Sequence, residues 1–268
     1  MDQETYYQKI HEALAKNLPL WQATIIETEG SSPAKAGMKA CVGTGELYFG
    51  NLGGGELEYG LIRQIRIDTP DKPVFWSFSL TGSRTDLYPT DKQTGMICGG
   101  AVKVFIEPLH KSDTLYIIGA GHCGRALASL ARSTGFFTCL IDNREELLRQ
   151  AQAEGLADSY VLSDYTMLRE QIRESSRAWV VIMTHGHLHD REVLEQCLRL
   201  ELAYLGMIGS KSKVAETFEN LRNKGFSSEI LEKVHAPIGL PIGSQTPAEI
   251  AISIMAEIIQ IRTTQSRR

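Results

Sequence analysis

The stretch that most constrains the fold is residues 115–124, where a short β-type run leads into three spaced glycines, Leu115-Tyr-Ile-Ile-Gly-Ala-Gly-His-Cys-Gly124. Gly119 permits a tight turn, Gly121 lets backbone amides approach a pyrophosphate, and Gly124 allows a helix to pack closely on the strand. We expect an anion at the N-terminus of that helix, because unpaired N–H groups and the helix dipole favour negative charge there. The next apolar run ends in Asp142, where a carboxylate is placed to accept hydrogen bonds from ribose hydroxyls. Together these residues predict a dinucleotide-binding strand, turn and helix.

The rest of the C-terminal half repeats this alternation of apolar runs and helical segments. The runs are 115–118, 137–141, 160–162, 179–183 and 204–208. Strand, helix and strand in regular succession predict parallel pairing, and continuously apolar strands predict burial on both faces. We therefore expect residues 113–268 to form an α/β domain with a Rossmann-like, doubly wound parallel sheet. Its closing helix should begin at Pro247, with Thr246 as the N-cap.

The N-terminal half, residues 1–112, has a different pattern. Helical spacing occurs at 5–16 and 57–67, and β-type runs occur at 22–27, 38–42, 74–80 and 102–106. Glycine-rich turns separate these segments. The pattern predicts a smaller domain of mixed α+β structure.

Composition excludes several classes of protein. The formal net charge is −4 and the pI is near 6.0, so the chain has no global positive field that would attract nucleic acid. Its apolar runs are too short to span a bilayer, and its first residues are acidic and polar, which argues against a membrane or secretion signal. The 5 cysteines are scattered, without a Cys-x-x-Cys pair, which suits neither a disulfide framework nor a structural zinc site. We expect a cytoplasmic protein.

Three loops of the N-terminal half are candidate ligand contacts. The segment 29–38 is polar and supplies hydroxyls, amides and the cation Lys35. Gly53, Gly54 and Gly55 open a helix candidate and can form a nest of amides around an anion, although a glycine cluster of this kind also suits a tight turn. The third loop contains Cys98.

Cys98 is followed directly by Gly99 and Gly100, which would let a ligand approach the backbone. Its thiolate is a soft donor suited to molybdenum, copper, sulfur transfer or disulfide exchange, whereas a free cysteine elsewhere is usually a small buried hydrophobe. That second description fits Cys41, Cys139 and Cys197, which lie in apolar patterns. Cys123 lies inside the glycine motif and can border a ligand without reacting.

Two loops after later strands carry polar side chains to the carboxyl edge of the predicted sheet. In one, His185 begins a cluster with His187, His189 and Asp190. These side chains suit metal ligands or acid/base groups, or alternatively polar contacts to a ligand with Asp190 as a cap. We expect His185 to contact a bound cofactor and assign no tight metal site. The other loop, 206–213, places two lysines at a second helix N-terminus, which suits an anion or merely a solvated charged surface.

The glycine motif alone leaves the nucleotide open. Asp142 suits the ribose of NAD, whereas Arg144, two residues later, suits the 2′-phosphate of NADP. A fold of this type can also bind a nucleotide without transferring hydride. An NAD(P)-dependent oxidoreductase and a regulatory nucleotide-sensing subunit therefore stand as alternatives.

Across nearly its whole length the chain resembles the xanthine dehydrogenase accessory family, XdhC/CoxI-like. The resemblance is carried by seven segments: 29–33, 53–56, 98–100, 119–124, 184–190, 206–211 and 237–251. The last, Pro237-Ile-Gly-Leu-Pro-Ile-Gly-Ser-Gln-Thr-Pro-Ala-Glu-Ile-Ala251, is distinctive by itself. The family often has arginine directly after the Ser/Thr-Pro pair, where this chain has Ala34 and then Lys35, so a phosphate there would meet a point charge and not a bidentate fork.

The resemblance implies an accessory factor with no catalytic residues of its own. Such a protein binds the molybdenum cofactor, as molybdopterin or its dinucleotide form, protects it while a cysteine desulfurase installs a sulfido ligand, and delivers it to apo xanthine dehydrogenase or a related molybdenum hydroxylase. It implies Cys98 as the functional thiol. A homodimer is the default expectation for the oligomeric state.

Overall fold

The computed structural model describes residues 1–30, 33–79, 101–109, 112–173, 175–185 and 187–265. For residues 56, 79, 175, 187 and 188 it describes the backbone alone. The chain divides into two compact units, Met1–Lys111 and Ser112–Arg268, called the first and second unit below.

The first unit is an antiparallel sheet with two helices. Its elements in order are α1 (Gln3–Ala15), β1 (Leu20–Glu29), β2 (Lys39–Gly43), β3 (Tyr48–Gly50), α2 (Gly55–Asp68), β4 (Val74–Ser79) and β5 (Ala101–Leu109). The strand order is β3-β2-β1-β5-β4, with every pair antiparallel. Both predicted helices and all four predicted strands are present, and β3 is an addition.

Neighbouring strand residues of this unit enter different cores. Ala40 and Val42 pack with Leu61 and Ile65 of α2, whereas Cys41 between them packs with Tyr6 and other residues near α1. Because successive side chains of a strand point to opposite faces, this alternation places one helix on each face of the sheet. The sheet therefore has a packed core on each face.

The second unit is a parallel sheet with helices on both faces. Its elements are β6 (Thr114–Ile118), α3 (His122–Ser133), β7 (Phe137–Asp142), α4 (Glu145–Ala153), β8 (Ser159–Leu162), α5 (Leu168–Gln171), β9 (Ser175–Ile182), α6 (His187–Cys197), β10 (Leu202–Met207), α7 (Lys211–Asn223), α8 (Ser228–Leu231) and α9 (Pro247–Gln265). The strand order is β10-β9-β6-β7-β8, all parallel. The Rossmann-like doubly wound sheet is confirmed.

Burial on both faces explains the apolar character of these strands. Leu115 and Ile117 of β6 lie in a core with α3, α4 and α9, whereas Tyr116 and Ile118 lie in a second core with α5, α6, α7 and α8. The sheet is therefore covered on each side, as its continuous apolar runs predict.

The last helix begins where the sequence places it. The amide of Glu249 donates to the Thr246 hydroxyl at 3.3 Å, and Thr246 N donates back to the Glu249 carboxylate at 3.0 Å. This reciprocal pair is a capping box, and it confirms Thr246 as the N-cap.

Candidate functional site

The glycine loop lies at the point where the parallel sheet changes direction. It follows β6, the central strand, which has β7 on one side and β9 on the other. From β6, the next two strands in sequence, β7 and β8, lie on one side of it. The following two, β9 and β10, lie on the other side. In doubly wound sheets the ligand crevice lies at the carboxyl ends of the strands at this switch. The loops after β6 and β9 are therefore the natural place for a ligand in this unit.

Two of the three motif glycines are required by packing, because a larger residue would collide with neighbouring backbone atoms. A Cβ on Gly119, where φ is +124°, would lie well under 3.0 Å from the carbonyl of Met183 at the end of β9. A Cβ on Gly124 would collide in the same way with the carbonyl of Gly119. These two glycines let the loop turn and let α3 approach the strands.

Gly121 is different, because a Cβ there would meet nothing within 4 Å. Its backbone has φ −68° and ψ −177°, a conformation open to any residue. No packing requirement among the described residues therefore explains a glycine at the N-cap of α3. The open space over Gly121 is what the predicted close approach of a pyrophosphate requires.

Asp142 supports the glycine loop from behind. One carboxylate oxygen accepts from Ala120 N at 2.6 Å and from Arg144 Nη2 at 2.8 Å, and the other accepts from Arg144 N and Nε at 2.9 and 2.8 Å. The side chain is fully buried. Burial raises the pKa of this carboxyl, but the hydrogen bonds from Arg144 and Ala120 outweigh that effect and hold the pKa below its ordinary value.

These contacts bear on the expectation for Asp142, whose contact with a cofactor stays a prediction. Both of its oxygens are occupied within the chain, and neither is exposed for the ribose hydroxyls that the sequence pattern assigns to it. Spacing alone gives no information about which donors a carboxylate has already accepted.

The histidine loop follows β9 across the switch. His185 is exposed and its ring centroid lies 5.4 Å from that of His189, which in turn lies 5.5 Å from the ring of Tyr165. Asp190 is buried and accepts from both the amide and the hydroxyl of Thr184, at 3.0 and 2.6 Å, so it braces the loop. In the described part of the chain no three His, Cys, Asp or Glu side chains are grouped to hold a metal ion. A contact from His185 to a ligand stays a prediction.

A second helix N-terminus lies next along this edge. Ser210 is the N-cap of α7 and its hydroxyl accepts from Lys213 N at 3.4 Å. Since β10 pairs with β9, this turn neighbours the histidine loop. The loop 206–213 therefore lies on the same sheet edge as the glycine loop, and its binding of an anion stays a prediction.

In the first unit, the two glycine-containing loops meet. A Cβ on Gly53, where φ is +102°, would lie 2.7 Å from Ala34 N and 2.8 Å from Ala34 Cα. The loop 51–55 is thus packed directly on the backbone that follows Pro33. Gly54 and Gly55 also have positive φ, but a Cβ on either would meet nothing within 4 Å.

Several backbone amides of the predicted anion nest already donate hydrogen bonds to side chains of the same unit. Glu58 accepts from Leu52 N at 2.7 Å and from Gly54 N at 3.2 Å, and the Asn51 side chain accepts from Gly53 N at 2.7 Å. The sequence reasoning missed Glu58. The available signal was an acid in the first turn of a helix that begins with a glycine run, which resembles the capping-box spacing. Contact of Gly53, Gly54 and Gly55 with a cofactor stays a prediction.

A cavity of about 340 Å³ borders both loops within the first unit. Gly37 of the first loop and Asn51 of the second line it, with Lys39 and the aromatic side chains of Tyr6 and Tyr7. Its size is within the range of small-molecule sites. The cavity therefore offers a cation, an amide side chain and aromatic surface beside the loops that the sequence singled out.

Four cysteines lie in the described chain, all as free thiols. Burial raises the pKa of Cys41 and Cys139 to about 11 and that of Cys197 to about 12, and it also raises the pKa of the partly buried Cys123. Thiols with raised pKa values are poor nucleophiles and poor metal ligands at neutral pH. Cys98, Gly99 and Gly100 lie outside the described residues.

The contrast between neighbouring glycines yields a direct prediction. Gly53→Ala should destabilise the first unit by about 2 kcal/mol more than Gly54→Ala, because both strain the backbone but only the first drives a Cβ into Ala34. Urea unfolding of the full chain, with hydrogen exchange reported for peptides of residues 20–68, measures this difference. Equal destabilisation by the two changes would mean that the loops do not pack as described.

Comparisons with known proteins agree with this architecture. Residues 115–258 match the model described as the XdhC Rossmann domain, and residues 13–67 match the XdhC and CoxI family. The uncharacterized protein YqeB of Escherichia coli (strain K12) is 31% identical over 92% of this chain and 44% of its own length. The molybdenum cofactor insertion chaperone PaoD of the same organism is 24% identical over 72% of this chain and 53% of its own length.

A solved structure extends the similarity to both units. A Bacillus halodurans protein described as a xanthine dehydrogenase is 25% identical, with a TM-score of 0.51, and the match covers 97% of this chain and 96% of that one. The chain spans about half the length of the curated relatives it matches. Among the described residues, no helix has the length and apolar character needed to cross a membrane. Since the matched Rossmann domain alone covers more than half of the sequence, the chain belongs to the XdhC and CoxI family.

Proposed function

We propose that this protein binds the molybdenum cofactor as cargo and serves the maturation of a molybdenum enzyme. Family membership supports the proposal, and so does the similarity to a relative named a molybdenum cofactor insertion chaperone. The geometric observation that carries it is the glycine loop at the switch point, where Gly119 and Gly124 are demanded by packing and Gly121 faces open space. This arrangement supports the binding of a phosphate-bearing ligand at the loop.

The finer steps come from the family resemblance. The cargo is molybdopterin or its dinucleotide form. The protein protects it while a cysteine desulfurase supplies sulfur, then delivers it to apo xanthine dehydrogenase or a related molybdenum hydroxylase in the cytoplasm. In this scheme the chain performs no turnover, and the free thiols of the four cysteines that the structure describes suit a reducing compartment. A homodimer stays a prediction.

We assign the site residues by chemistry. The thiolate of Cys98 is the soft donor for molybdenum, and Gly99 and Gly100 keep the backbone beside it free of side chains. The loops around Gly53, Gly54 and Gly55 hold an anionic part of the ligand. In the second unit, Gly119, Gly121 and Gly124, braced by Asp142 and flanked by His185, receive a phosphate or pyrophosphate.

Cys98→Ser is the direct test. Protein purified from molybdate-supplied cells should carry both molybdenum and pterin, measured by mass spectrometry and by fluorescence of the oxidised pterin. The serine variant should retain at least about tenfold less, because even changes beyond the ligand shell cost 10–100-fold in metal affinity. Cys139→Ser, which alters a buried thiol within β7 and outside the loops assigned to the ligand, is the matched control and should keep the wild-type content. Wild-type molybdenum and pterin in the Cys98 variant would remove the thiol from the mechanism.

The glycine loop also favours a second candidate, an NAD(P)-dependent oxidoreductase. The open space at Gly121 suits the pyrophosphate of a nicotinamide dinucleotide as well as that of the molybdenum cofactor's dinucleotide form. The two functions differ in the step after binding. Substrate-dependent oxidation of NADH or NADPH by the purified protein would favour the enzyme, whereas transfer of bound cofactor to an apo-enzyme would favour the accessory role.

A further inference from the structure

The residues just after β7 form an ion pair that changes what the nucleotide crevice can recognise. Arg144 donates to Asp142 through Nε and Nη2, each at 2.8 Å, and through its backbone N at 2.9 Å. The carboxylate is fully buried, whereas the Arg144 side chain is 36% exposed. The Asp142 carboxylate therefore lies in the interior, whereas the Arg144 guanidinium is partly exposed to solvent.

The guanidinium lies close to the glycine loop. Arg144 Nη2 and Ala120 N donate to the same carboxylate oxygen of Asp142, at 2.8 and 2.6 Å. In a doubly wound domain the pyrophosphate lies on that loop, and the residues after the second strand face the adenosine ribose. Arg144 thus occupies the position from which a ribose substituent is read.

The orientation of Arg144 is fixed before any ligand arrives. Two of its guanidinium nitrogens are bound to Asp142, and the third, Nη1, has no hydrogen-bond partner in the described part of the chain. A planar guanidinium held in this way presents its remaining donors in one direction, which suits a phosphate oxygen. Lysine would lack this fixed geometry.

Asn143 supplies the acceptor that Asp142 no longer offers. Its Oδ1 is buried and lacks a hydrogen-bond partner among the described residues, while its backbone N donates to the Tyr165 hydroxyl at 3.3 Å. A buried amide oxygen without a partner is costly, and a ribose hydroxyl would satisfy it. Within the described part of the chain, Asn143 therefore carries an acceptor without a partner, directly before the residue whose Nη1 donor is free.

We propose that the second unit binds a 2′-phosphorylated adenine dinucleotide of the NADP(H) class in preference to NAD(H). Arg144 is the specificity-determining residue and reads the 2′-phosphate, and Asn143 accepts from a ribose hydroxyl that both dinucleotides carry. The inference does not rest on the molybdenum cofactor role; it rests on the nicotinamide-dinucleotide alternative and names the form of dinucleotide and the residue that selects it. It assigns the crevice a second ligand with its own chemistry.

Calorimetric titration of the full chain with NADP⁺ and NAD⁺ tests the proposal. The wild-type protein should bind NADP⁺ at least about tenfold more tightly, since a hydrogen bond between charged groups distinguishes the two ligands. Arg144→Ala should abolish this preference, whereas Asn143→Ala should weaken both ligands alike. Arg149→Ala, which removes an exposed arginine from the next helix, is the matched charge control and should keep the preference.

Three results would overturn the inference: equal affinity of the wild-type protein for both dinucleotides, no binding of either, or an unchanged preference in folded Arg144→Ala. Loss of the guanidinium leaves Asp142 buried without its cation, which is strongly destabilising. If Arg144→Ala does not fold for this reason, Arg144→Lys decides the question. It keeps the charge but lacks enough fixed donors for both Asp142 and a phosphate, so the preference should fall severalfold. An unchanged preference in the lysine variant would also overturn the proposal.

Discussion

Gly124→Ala should destabilise the second unit by more than about 4 kcal/mol, which is enough to prevent its folding. The added Cβ would lie well under 3.0 Å from the carbonyl oxygen of Gly119 and would also press on Met183. That carbonyl belongs to a loop fixed at φ +124°, between a strand and a helix that both lie in a packed core. Relief would require α3 to move away from the sheet, with loss of the contacts made by Leu127 and Ala128.

Gly121→Ala is the control for this prediction, because it adds the same methyl group to the same loop. Its cost should be about 1 kcal/mol or less, the usual loss when alanine replaces glycine at an N-cap. Hydrogen exchange of peptides from residues 114–142 would show rapid exchange for the first variant and nearly native protection for the second. The Gly121 variant should nevertheless lose binding of a phosphate-bearing ligand. Native protection in Gly124→Ala would contradict the close approach of α3 to the strands.

The strands of the second unit were predictable because their surroundings are uniform. Each central strand is covered by helices on both faces, so side chains on both faces are mostly apolar and the strand is visible in the sequence as an apolar run. The switch in strand order follows from the right-handed crossovers and the regular alternation of elements. The glycine spacing then places the ligand loop, because Gly119 and Gly124 are required by sterics that hold in any such fold.

Shorter and more local features could not be predicted in the same way. β3 has only three residues, Tyr48–Gly50, and its existence depends on pairing with β2. The segment 235–238 joins the edge of β10 through bonds between His235 and Leu205 and between Ile238 and Met207, without any β-type pattern of its own. Both features arise from tertiary pairing, which a window of sequence does not contain.

In the candidate site, too, the hydrogen-bond partners of single atoms depend on tertiary structure and could not be predicted from the sequence. Sequence spacing placed Asp142, Gly53 and His185 at sheet edges and loops, and it did so from residue types alone. Whether a carboxylate or an amide is free depends on partners distant in the chain or unremarkable in sequence, such as Glu58 beneath the glycine nest. The pattern thus predicts where a site lies better than it predicts which atoms the ligand meets.

Asp142→Asn should be the other costly change, with a loss of about 3 kcal/mol at neutral pH. The amide of asparagine has one acceptor oxygen in place of two, so the four donors from Arg144 and Ala120 are no longer satisfied. The effect should depend on pH. Because the pKa of Asp142 is lowered in the folded protein, its contribution is complete above the ordinary value of 3.8 and is lost as the pH falls through the lowered folded value.

The difference in unfolding free energy between wild type and Asp142→Asn should therefore stay constant from neutral pH to about pH 5 and shrink in more acidic solution. Urea unfolding, followed by pulsed hydrogen exchange of residues 114–142, measures it for the second unit alone. Asp164→Asn is the matched control, since the Asp164 carboxylate is exposed and accepts from the amide and hydroxyl of Thr166, a role that asparagine can fill. A small, pH-independent difference for Asp142→Asn would mean that its carboxylate is solvated instead of paired, and the crevice would then present an acid to the ribose after all.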